Sequence, residues 1–198
     1  MPDRAQADPR AAAQPEPPTF PDVNVISFTK VDLAYGWLGN MSSEYGRIEY
    51  DGKRYKTAEH LYQTLRYPAD LCLPYKGEGL VNVRELISKQ AAPLAAARIA
   101  RRNDFKDHRC VEPRSSTELD LMMMVLRLKM NQAPGDMIRR KLIKMGLDAV
   151  IVEDTTSHPK PDTYWGAYKV DENTWKGFSH LGQLWMALKA EVIAAQAS

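Results

Sequence analysis

Apolar positions along the chain follow two different periods. Val25-Ile26-Ser27-Phe28 is a compact run that predicts a short strand. Between Arg47 and Thr57, Ile48, Tyr50 and Tyr55 flank the dipeptide Asp51-Gly52. Asp-Gly favours the positive φ angles of a type I′ turn, so this stretch predicts a β-hairpin. Beyond it the period changes. Thr57 is placed to cap a helix that carries Glu59, His60, Tyr62, Gln63 and Arg66. A second helix is expected over 80–90. Pro93 suits the first turn of a third, running through Ala95-Ala96-Ala97-Arg98 to about Arg102.

The strongest helical signal lies in the second half. Ser115 and Glu118 form a capping box. Leu119, Met122, Met123, Leu126 and Met130 then recur on one helical face. Such a Met/Leu stripe is read as core packing. Pro134 opens a further helix that Gly146 closes. Ala149-Val150-Ile151-Val152 is a buried run too brief for a helix. The stretch 154–177 is rich in Thr, Pro, Asp, Asn and Gly and is expected to be largely loop. It carries Tyr164, Trp165 and Trp175, which favours a functional loop. Leu181, Leu184, Trp185, Leu188 and Val192 form a closing amphipathic helix. The fold class expected from this pattern is mainly α, a helical domain with one small β-hairpin.

Composition sets the boundaries. Residues 1–22 are Ala, Pro, Gln and charge, a segment unable to bury enough apolar surface to order itself. They are expected to form a disordered tail, followed by one domain over 23–196. With 44% apolar and 26% charged residues in 198, that domain can build its own core. The net charge of +2 argues against a broad polycationic surface for long nucleic acid. A local phosphate pocket remains open, and Arg98, Arg101, Arg102, Lys106 and Arg109 form the basic cluster that could supply it or serve as a solvated face. Cys72 and Cys110 read as free thiols of a reducing compartment. With no secretory leader pattern and no apolar run of membrane length, a cytoplasmic location without a membrane partner is expected.

Several chemistries are absent from the pattern. The chain has no Gly-rich phosphate loop, no G-x-S-x-G elbow and no H-E-x-x-H. His60, His108, His158 and His180 share no ligand spacing with the cysteines, so no metal is expected. Three polar clusters remain: Asn40 after Trp37-Leu38-Gly39, the series Glu59, Gln63 and Arg66, and Asp162 with Tyr164-Trp165-Gly166. Glu59, Gln63 and Arg66 fall at i, i+4 and i+7 on one helical face, either a solvated surface or one wall of a polar pocket.

The order of these clusters carries a resemblance. From about Val25 to Ile193 the chain resembles the NADAR, or YbiA-like, family of N-glycosidases. The matching positions are Phe28, Leu38-x-Asn40, Asp51-Gly52-x-x-Tyr55-x-Thr57-x-Glu59-His60, Gln63, Ala96-Ala97-Arg98, Met122, Lys129-x-x-Gln132, Glu153, Asp162-x-Tyr164-Trp165-Gly166 and Leu181-Gly182-x-Leu184-x-Met186. The resemblance implies a compact YbiA-like helical domain and a hydrolase acting on the C1′–N bond of an ADP-ribosylated or phosphoribosylated base, such as ADP-ribosyl-guanine or riboflavin-pathway intermediates. The implied partners are a nucleotide-like ribose phosphate or ADP-ribose, with ADP-ribosylated nucleic acid as an extension; no cofactor is implied.

Roles transfer onto matching positions. Glu59, Asp162 and Arg66 stand at the catalytic positions. Asn40, His60, Gln63, Arg98, Lys129, Trp165, Gly166, Ser179 and Gly182 stand as substrate-binding residues. Glu59 would stabilise charge on the ribose or orient water, Asp162 hold ribose hydroxyls or act as the partner acid/base, and Trp165 offer a flat face. The chain also departs from the family. Arg66 replaces a common Lys, and a guanidinium cannot act as an amine nucleophile. Arg114 and Ser179 replace a Trp and an Asn. The alternative reading is therefore a catalytically impaired ADP-ribose- or nucleotide-binding module.

Overall fold

The structure, a computed structural model, describes residues 15–77 and 79–196. Most of the expected tail, residues 1–14, lies outside them. The rest of that tail does not match the expectation. Strand β1 (Thr19–Pro21) pairs antiparallel with a late strand, and Asp22 accepts bonds from Lys169 Nζ at 2.5 Å and Trp175 Nε1 at 2.9 Å.

The expectation of a mainly α fold is overturned. Nine strands in four small sheets stand beside seven α-helices among the described residues. β2 (Val25–Phe28) pairs in parallel with β7 (Val150–Glu153), which the sequence leaves unassigned as a buried run. β3 (Ile48–Tyr50) and β4 (Lys53–Tyr55) form the expected hairpin. Asp51 at φ 50° and Gly52 at φ 68° supply the two positive angles of its turn. β5 (Cys72–Pro74) and β6 (Leu80–Asn82) form a second hairpin where a helix start is expected. The 154–177 stretch holds β8 (Tyr168–Asp171) and β9 (Thr174–Lys176), joined to β1 in a three-stranded sheet. Strands this short and broken by Asp, Glu and Asn leave no alternation long enough to read locally.

The helices follow the pattern more closely. Thr57 caps α1 (Ala58–Leu65) by accepting His60 N–H. Asn82 caps the short α2 (Val83–Ser88), and α3 (Pro93–Ala100) starts on its proline. After α4 (Asn103–Lys106), Ser115 caps α5 (Ser116–Asn131) through Glu118 N–H at 3.1 Å. α6 (Met137–Met145) ends at Gly146, and α7 (His180–Ala194) closes the fold. The main core packs α1, α5, α6 and α7 around Trp37, Leu61, Leu126 and Trp185. A smaller cluster holds Tyr67, Ile87, Ala96, Ala100 and Phe105 beneath α2, α3 and α4. No helix of the described residues is long and apolar enough to cross a membrane.

Candidate active site

One backbone arrangement gathers the polar clusters. β7 leaves its sheet at Glu153, and the chain returns so that Ala167 N–H donates to the Glu153 carbonyl at 2.9 Å. Asp154 and Ala167 form an isolated bridge, and Thr155 Oγ1 donates to the Asp162 carbonyl at 3.2 Å. The loop then caps α7. Gly166, Tyr164 and Trp165 carbonyls accept the N–H groups of Ser179, His180 and Leu181. These replace a side-chain cap and satisfy amides that a helix start otherwise leaves open. Two glycines allow the close approach. A Cβ on Gly166 would stand 2.6 Å from the Glu153 carbonyl oxygen, and one on Gly182 would stand 1.9 Å from that of Ile151. Gly166 and Gly182 are thus packing residues at the loop and helix seam.

Three acids converge there from distant parts of the chain. Glu59 is only 6% exposed, and its backbone N–H donates to the Asn40 carbonyl at 2.9 Å. Its Oε1 accepts from Gln63 Nε2 at 2.9 Å. Burial raises the Glu59 carboxyl above its usual range, opposed by the Gln63 bond and by the charges of Arg101 and Arg66. Glu153 keeps some exposed surface but is closely surrounded by protein. Burial, and then the charges of Asp162 and Glu59, push its carboxyl up to about 8. Asp162 is exposed, and its Oδ1 accepts from the N–H groups of Tyr164 and Trp165 at 2.9 and 3.0 Å, fixing the loop turn. Trp165 is part-buried, edge-on to Tyr62 at 5.9 Å and to Tyr164 at 5.1 Å.

A relay backs Glu59. The Gln63 Oε1 accepts from Arg66 at 3.2 Å, and Arg66 pairs with Glu118 at 3.0 Å, both partners buried. Glu118 also accepts from Tyr62 OH at 2.7 Å and from Arg114 N–H at 2.7 Å. Arg66 is therefore locked behind Gln63, where it orients that amide toward Glu59. Asn40 Nδ2 donates to the Met122 sulfur at 3.2 Å, which leaves its buried Oδ1 without a partner. The buried Ser179 Oγ also lacks one.

Other expected residues lie elsewhere or are already engaged. His60 is fully buried, with Nδ1 at 2.9 Å from Thr57 Oγ1 and Nε2 at 3.2 Å from the Gln90 carbonyl. Lys129 is buried and donates to the Trp37 and Gly39 carbonyls at 2.6 and 2.8 Å. Burial pulls its amine down to about 7, opposed by the charge of Glu44. Lys129 thus ties α5 to the 36–40 turn. Arg98 is exposed on α3, and the cations acting on Glu59 are Arg101 and Arg66 instead. Arg102 pairs with Asp104, and Arg109 donates to the Ala100 carbonyl.

Glu153, Arg101 and Glu118 are site residues that the sequence marks only as a matching position, a member of the basic cluster and a helix cap. A carboxylate closing an apolar strand run is the signal that could have singled out Glu153, since ligands gather at the carboxyl ends of parallel strands. Among the described residues no group of three or more His, Cys, Asp or Glu side chains could hold a metal ion.

No family model matches the sequence, and no curated protein does. Among solved structures, the NMR structure of the E. coli protein YbiA is similar at 26% sequence identity, with a TM-score of 0.60, over 88% of this chain and 88% of that chain. The fold of this chain is YbiA-like.

Proposed function

We propose that the chain is an N-glycosidase that hydrolyses the C1′–N bond of an ADP-ribosylated or phosphoribosylated base-like compound. The observation that carries this reading is the coupling of Glu153 to Glu59 and Asp162, with Glu153 raised to about 8. Perturbed acids held apart in charge are the signature of paired acid and base roles. Glu153, protonated at neutral pH, donates its proton to the departing base nitrogen, which keeps the C1′–N electron pair. Glu59 stabilises the positive charge that develops on the ribose and takes the proton of the attacking water. Asp162 has its second oxygen for a ribose hydroxyl, and Trp165 gives a flat surface. Arg101, exposed beside Glu59, suits a phosphate.

The test is incubation with ADP-ribosylated guanosine and with phosphorylated aminopyrimidine ribosides, read by mass spectrometry. Free base and a ribose product are expected, and Glu59→Gln should lower the rate about 10²- to 10⁴-fold. Intact substrates after exhaustive incubation would refute the reading. One observation favours a second reading. Arg66 is held between Gln63 and Glu118 and supplies no amine nucleophile. A binding module that keeps the pocket would then give a higher melting temperature with ADP-ribose and no turnover.

A further inference from the structure

We infer that a groove beside the acids, separate from them, is a binding site for a phosphate ester. It lies between the 41–47 loop, the start of α1 and the 90–93 turn, with a volume of about 380 Å³. Arg47 and Lys56 supply its charge, Ser43 a hydroxyl, and Met41, His60 and Pro93 its remaining walls. No carboxylate lines it, and the nearby Glu44 is held by Lys141 at 3.3 Å. Lys56 Nζ donates to the Gln90 carbonyl at 2.8 Å, a bond that fixes the ammonium and leaves two N–H donors. The exposed Arg47 makes no ion pair or hydrogen bond with the described residues, so its full donor fork is open.

Two cations and a hydroxyl lining a cavity of this size match an oxyanion with charge-assisted bonds. The exposed thioether of Met41 and the ring of Pro93 offer an apolar surface for the body that carries the phosphate. His60 completes the wall as a fixed neutral group, since both of its ring nitrogens are bonded and burial lowers its pKa. The groove adjoins the acids through consecutive residues. Glu59 precedes His60, and Asn40, whose carbonyl takes the Glu59 N–H, precedes Met41. A ligand can therefore reach both sites, or occupy the groove alone. The site stands whether or not the acids cleave anything.

The shared chemistry is a phosphate ester, from either a free nucleotide or the backbone of a nucleic-acid strand. The full chain would be titrated with inorganic phosphate, with 5′-AMP and with a short single-stranded oligonucleotide, followed by amide chemical shifts and fluorescence anisotropy. At least one probe should bind, with shifts concentrated at Met41, Ser43, Arg47 and Lys56. Arg47→Glu should weaken binding about ten- to a hundredfold, the loss of one charge-assisted contact. Arg47→Lys should recover part of it, and the affinity should fall steeply from about 50 to 200 mM salt. Binding of the strand alone assigns the groove to nucleic acid; binding of AMP assigns it to nucleotides. No binding by any probe overturns the proposal, as does binding that Arg47→Glu and Lys56→Met both leave unchanged in folded protein.

Discussion

Replacing Glu153 by glutamine tests the site through stability. In the fold this carboxyl sits at about 8 against an ordinary 4.5. Below about 4.5 it is protonated whether the chain is folded or not, and stability is unaffected. As pH rises from 4.5 to 8, the unfolded chain gives up the proton while the fold keeps it. Unfolding therefore becomes easier by about 1.4 kcal/mol per pH unit, and the loss is complete above 8. The ceiling is about 5 kcal/mol; water at its part-exposed surface, with an effective dielectric near 20, brings the expected loss to about 2–3 kcal/mol. The amide of the Glu153→Gln variant has no such proton to lose. Thermal melts at pH 5, 6.5 and 8.5 should show the wild type falling relative to that variant, by about 5–10 °C for a chain of this length. Melting curves that run parallel over this range would show that Glu153 is not protonated in the fold, and the proposed acid would be lost with it.

In the proposed mechanism the same group sets the rate. Glu153 must carry its proton to protonate the leaving base, so turnover should fall about tenfold per pH unit above about 8, measured as kcat/KM against pH. Gly182→Ala places a methyl against the Ile151 carbonyl of β7, and α7 must shift to admit it. Overpacking of this kind costs about 1–3 kcal/mol, which calorimetry would record as a drop in Tm of several degrees. Glu118→Gln leaves the buried Arg66 guanidinium without its charge partner, and urea titration should show a loss of about 3–5 kcal/mol.

What the sequence reveals is what a few neighbouring residues decide. The caps at Thr57 and Ser115 and the Asp51-Gly52 turn are local bonds or local torsions, and each forms where its residues stand. Glu59, Gln63 and Arg66 share a helical face for the same reason, and in the fold they are linked side chain to side chain. The parallel pairing of β2 with β7 joins segments from opposite ends of the chain, and nothing local to either encodes it. The role of Glu153 depends on that pairing, because only the return of the loop to the end of β7 brings Asp162 beside it. Which cation stands beside the acids is a subtler case. Arg98 and Arg101 stand close together in the chain, yet α3 stops at Ala100, and it is Arg101 that acts on Glu59.

The cost of ionising Glu153 beside two other acids also explains why the surrounding scaffold is so closely tied. The charges of Asp162 and Glu59 raise the cost of ionising Glu153, so an ionised Glu153 would gain by moving away from them. Each is held from behind. Glu59 is fixed by Gln63, which Arg66 and Glu118 hold in turn. Asp162 is fixed by the two N–H groups of its own turn, and that turn is locked to α7 by three backbone bonds. Glu153 is fixed by strand pairing to β2 and by the Ala167 amide. A strained polar cluster persists only where the structure around it leaves no lower-energy arrangement. The glycines at 166 and 182, which let loop, strand and helix meet at backbone distance, are for that reason as necessary to the site as the acids themselves.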